Sequence, residues 1–131
     1  MKKKILIASL VTIFLGLIIG GCRMKEKETL TKHQQDNVVR WIARGYDVQV
    51  VELTSFSQDK NTGMYILSFR LNEDVSYETT ISVDKLEEFD ENNGILGLNP
   101  VNRFKNLEKL HPLNENDEID ISNIKIMYLR K

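Results

Sequence analysis

The chain has 131 residues, 28% of them charged, with seven Gly and two Pro and a formal net charge of −1. That composition excludes collagen-like, disulfide-scaffolded and disordered classes and fits one small domain plus whatever its ends carry. With one cysteine, no disulfide can form within the chain.

In chain order, Lys2, Lys3 and Lys4 form a positive start, and Ile5 to Ile19 are fifteen uncharged residues. Gly20 and Gly21 then place small side chains before Cys22, which completes the three parts of a secretory signal. The stretch Ile19-Gly20-Gly21-Cys22 resembles the lipobox of bacterial lipoproteins. The resemblance implies signal-peptidase recognition of Ile19, Gly20 and Gly21, diacylglyceryl transfer to the Cys22 sulfur, cleavage just before Cys22 and often acylation of the new amine. Two plainer readings stand beside it: a free thiol at Cys22, and an uncleaved anchor over the 17 residues Ile5–Gly21, near the lower limit for crossing a bilayer. In every case the positive-inside rule keeps the lysines cytoplasmic and exports the rest. Two acyl chains, at about 0.8 kcal/mol per buried methylene, would hold the protein on the outer face of the bacterial cell membrane.

Removing residues 1–21 removes three lysines, so fifteen basic residues face nineteen acidic ones and the exported part carries a formal −4. Its lysines and arginines are interleaved with acids, with no row to neutralise phosphates, so nucleic acid is not an expected partner. Residues 22–30 carry charge without period and read as a lipidated cysteine and short tether. The expected division is thus 1–21 signal peptide, 22–30 tether and 31–131 a single extracytoplasmic domain.

Thr31-Lys32-His33-Gln34 has the form of a capping box. It predicts a helix over 32–44 with Val38, Val39, Trp41, Ile42 and Tyr46 on one apolar face and Gly45 closing the last turn in a left-handed conformation. Val48–Phe56 is rich in β-branched residues but changes phase between Val48/Val50 and Val51/Leu53, which points to a bulge or burial on both faces. Turn residues fill Ser57–Gly63. Met64–Leu71 then alternates cleanly, with Tyr65, Leu67, Phe69 and Leu71 on one side, and Val75–Val83 alternates again with Val75, Tyr77, Thr79, Ile81 and Val83 together.

Residues 84–117 show no sustained period; Asn93-Gly94, Asn99-Pro100 and His111-Pro112 punctuate them, and only two helical turns fit, near Lys85–Phe89 and Asn102–Leu110. A loop that long in a small domain is either functional or locally structured, which makes 90–117 the expected binding surface. Glu118–Leu129 reads as a closing strand with a kink near Asn123. The expected fold is therefore α+β: one N-terminal helix packed on a mostly antiparallel sheet of about four strands. The order of helix then meander resembles cystatin-like and PepSY-like domains, an analogy of fold that carries no function.

Chemistry-bearing motifs are sparse. His33 and His111 lack ligand neighbours at zinc spacing. "DENNG" at 90–94 and "NENDEID" at 114–120 are oxygen-rich, yet neither has the glycine and terminal glutamate of an EF-hand. There is no Gly-x-Ser-x-Gly elbow and no phosphate loop, since the glycines of "GILG" precede no Lys-Ser/Thr. Trp41, Tyr46, Tyr65, Phe69 and Tyr77 sit at packing positions and read as core. The sequence accordingly predicts no catalytic residue, no cofactor and no metal. The whole chain resembles small surface lipoproteins of unknown function in Gram-positive bacteria. This implies a membrane-anchored, non-enzymatic binding or interaction module with a protein or cell-envelope partner. A protective or immunity lipoprotein that captures a toxin or inhibitor, and a small cell-envelope hydrolase, are the alternatives.

Overall fold

The computed structural model describes residues 29–130. The signal segment, Ile19, Gly20, Gly21, Cys22 and nearly all of the tether lie outside those residues.

Thr31 caps helix α1 (Lys32–Gly45) as its sequence predicts: its hydroxyl accepts from the Gln34 amide at 3.1 Å, and its own amide donates to Gln34 Oε1 at 2.9 Å. Leu30, assigned by composition to the tether, is buried in the core, and its carbonyl accepts from the Gln35 side chain. Leu30 is thus part of the packed unit. All five residues of the expected apolar face are buried. Gly45 is a correction: it remains helical, and extended Tyr46 caps the end. A Cβ there would meet the Ile95 side chain at 3.4 Å, an ordinary van der Waals contact, so neither handedness nor space reserves the position for glycine.

Strands β1 (Val50–Gln58), β2 (Tyr65–Leu71) and β3 (Glu78–Val83) form an antiparallel meander, and β4 (Lys125–Met127) adds parallel to β1, giving the order β3-β2-β1-β4. The α+β architecture is the one the patterns predict, with its one parallel pair at an edge. The register of β1 against β2 shifts between Leu53 and Ser55, the bulge that moves inward burial from Val51 and Leu53 to Phe56. Leu67, Phe69 and Leu71 of β2 are fully buried against α1 in one apolar cluster, while Glu52, Arg70 and Glu78 form a charged ladder on the opposite face.

The second alternation starts later than its pattern suggests. The Asp74 carboxylate accepts from the Ser76 amide and hydroxyl, and this local bonding winds Val75–Tyr77 into a 3₁₀ turn with Val75 exposed. The closing strand is likewise only three residues long. Ile124 N–H turns back to Ile121 O, placing the expected kink beside Asn123, and Tyr128 and Leu129 then leave the sheet to bond Asp36 and Gln35 of α1.

Because β1, β3 and β4 all run the same way and β3 and β4 are opposite edges, the chain between them must cross the sheet's width and return along its length. Residues 84–124 make that crossing. They contain a 3₁₀ turn at Leu86–Asp90, the four-residue helix α2 (Val101–Phe104) and a 3₁₀ turn at Lys105–Leu107. Phe89, Leu98 and Phe104 are their buried anchors; Phe89 stacks on Trp41 and meets Phe56 edge-on, each at 5.9 Å between ring centres.

Candidate functional site

The crossing segment is fixed to α1 by polar side chains on the helix. Asn37 Nδ2 donates to Phe89 O at 2.8 Å, Trp41 Nε1 to Glu91 O at 3.0 Å, and Gln34 Nε2 to Asp90 Oδ1 at 2.9 Å. The terminal carbonyls of the helix are used too: Gly45 O accepts from Lys109 N–H and Arg44 O from Leu113 N–H, both at 2.9 Å. These groups are the ones a helix end leaves unsatisfied, so capping and docking of the segment are the same event.

Arg44 sits at the centre. It is 3% exposed, its Nε donates to Asp117 O at 2.7 Å and its Nη1 to Gly94 O at 2.8 Å. The two oxygen-rich stretches that the sequence presents 20 residues apart therefore meet here. Gly94 N–H donates to Glu115 O at 2.9 Å and Asn93 Nδ2 to Asn116 Oδ1 at 3.0 Å, closing the two arms on each other. The cation that draws their carbonyls together is a guanidinium. Among the described residues no group of three or more His, Cys, Asp or Glu converges to hold a metal.

Between α1 and the two arms lies a polar cleft of about 400 Å³, lined by His33, Arg40, Arg44, Asn92, Asp117 and Glu118 among others. Arg40 is half-buried one helical turn from Arg44 and donates through Nη1 to Asn37 Oδ1 at 2.8 Å. Burial lowers the Arg44 pKa below that of an ordinary arginine, the charge of Arg40 lowers it further, and Asp117 acts in the opposite direction. Within 4.0 Å, Arg44 has no carboxylate partner among the described residues. Two of its five N–H groups are matched to protein carbonyls, and the residue is among those that line the cleft.

The expected binding region at 90–117 is brought against the helix, and part of it rims this cleft. His33 lines the cleft, whereas His111 is exposed elsewhere on the crossing segment. Arg40 and Arg44, which sequence reasoning passed over, were signalled only by two arginines four residues apart on a helix whose neighbouring positions are apolar. Comparison with protein families, with characterised proteins and with solved structures finds no match to this chain.

Proposed function

We propose that this protein is a bacterial surface lipoprotein, anchored through lipid on Cys22 to the outer face of the cell membrane, whose single domain acts as a binding module. The seam Ile19-Gly20-Gly21-Cys22, following three lysines and fifteen uncharged residues, carries the anchoring half of this reading. The cleft supports the binding half: the domain's core is complete without it, yet a buried cation and several side-chain amides line it.

The test of anchoring is metabolic labelling with a palmitate analogue. Wild-type protein is expected in the membrane fraction carrying label, with a mature N-terminus at Cys22; Cys22→Ser is expected to lose the label and to accumulate as precursor or leave the cell surface. Unlabelled wild-type protein, or a mature chain starting at another residue, refutes the anchor.

A further inference from the structure

We propose that the cleft between α1 and the arms at 92–94 and 116–119 binds the free carboxylate terminus of a small zwitterionic ligand of the peptide or amino-acid class. This inference deepens the binding-module reading and rests on it.

The carboxylate follows from the two arginines. A buried guanidinium is normally matched by an anion, because carbonyl dipoles answer only part of its desolvation cost. The hydrogen bonds of Arg44 go to carbonyls, the Asp117 carboxylate acts on it only from beyond ion-pair distance, and Arg40 beside it adds a second positive charge. An anion entering the cleft would meet both positive charges, and a bond from a guanidinium to a carboxylate is stronger than one to a neutral carbonyl.

The rest of the lining selects among anions. Asp117 and Glu118 stand on the same cleft and would repel a phosphate or any ligand of high negative charge. They suit a ligand whose carboxylate is accompanied by an ammonium or amide N–H. Asn92 and Asn93 are exposed on the rim and supply neutral donors and acceptors for peptide groups. Charge of both signs with amides between them is the complement of a short peptide end.

The experiment is an NMR titration of the full chain in detergent micelles, following the Arg44 Nε–H and the side-chain amides of Asn92, Asn93 and Asn116. The probes are triglycine, its C-terminal amide, its N-acetyl derivative and inorganic phosphate. Triglycine is expected to bind saturably at these resonances, the C-terminal amide to bind about tenfold more weakly, since a charge-assisted bond is lost, and phosphate not to displace the peptide. The N-acetyl derivative is expected to bind more weakly than triglycine but better than the amide. Arg40→Gln is expected to weaken triglycine about tenfold, and Lys60→Gln, a cation removed from the distant hairpin turn, to leave it unchanged. No saturable shift, equal binding of acid and amide, or displacement by phosphate overturns the proposal. These ligand-side comparisons use wild-type protein and hold even if a variant folds poorly. Binding by a chain unlabelled at Cys22 would refute the anchor and keep the cleft; a labelled chain that ignores triglycine would do the reverse.

Discussion

Replacing Phe89 with Ala tests whether the crossing segment belongs to the core or merely lies on it. Phe89 is fully buried, stacks on Trp41, meets Phe56 edge-on, and its carbonyl takes the Asn37 side chain. Truncating a buried phenylalanine costs about 3–5 kcal/mol, and loss of two aromatic contacts places this site toward the upper end. For a domain of this size each kcal/mol moves the melting temperature by about 4–8 °C, so a fall of at least 12 °C is expected. Trp41 is the only tryptophan, so its emission reports directly on segment docking, while far-ultraviolet circular dichroism reports on helix and sheet. If the segment is part of one cooperative core, the two signals shift together in denaturant. A Phe89→Ala change smaller than about 1 kcal/mol, or a Trp41 transition that precedes loss of the sheet, would refute the reasoning.

Residues 29–131 alone should form a soluble monomer with mixed helix and strand dichroism, because the apolar cluster closes within them; aggregation or undispersed amide NMR signals would show that something else completes the core. Gly94→Ala is expected to destabilise the domain by about 1 kcal/mol or more and to shift Trp41 emission, since φ at Gly94 is +131° and a Cβ would come within 3.4 Å of the indole; an unchanged melt and spectrum would contradict this. Glu73 holds a left-handed φ of +56°, so Glu73→Gly should raise stability by about 0.5–1 kcal/mol in denaturant titrations. Asp74 and Asp120 are held below the usual carboxylate range by hydrogen bonds from Ser76 and Ser122. Their contribution is therefore present above the unfolded-state pKa and is lost as pH falls through the lower folded value; the Asp74→Ala/Asp120→Ala variant should show a shallower acid limb in melts from neutral pH downward.

What the sequence revealed was local. The Thr31–Gln34 box, the apolar face of α1, the alternation of β2 and the phase change of β1 each depend on neighbours within a few positions, and each is present in the structure. The structure departs from the pattern where one short bond outweighs it, as Asp74 does at Val75, or where the chain leaves a helix in an extended conformation, as it does at Tyr46. The crossing segment could not be read because Phe89, Leu98 and Phe104 follow no repeat and their partners lie elsewhere in the chain. One sign was available. Ten of the fourteen residues of α1 are buried, including Gln34, Gln35, Asn37 and Arg44, and a helix whose polar positions carry amides and an arginine beside an apolar stripe has polar groups suited to a second layer.

Topology also changes what the long segment means. With β3 and β4 parallel at opposite edges, the chain needs a connection of this kind whether or not it binds anything, so length alone is no mark of function. The informative feature is where the connection departs from plain covering. Around Phe89, Leu98 and Phe104 it closes over apolar side chains, as a structural crossing should. Over the middle of α1 it instead brings two arms together on one guanidinium, with Arg40 and Arg44 lining a polar cleft beside them. Stability alone would favour an apolar residue and a closed seam at that point, since a buried charge contributes less than well-packed hydrocarbon of the same volume. Retaining the arginine makes sense if the position serves recognition, and that is why the cleft, rather than the segment as a whole, is the place to seek a ligand.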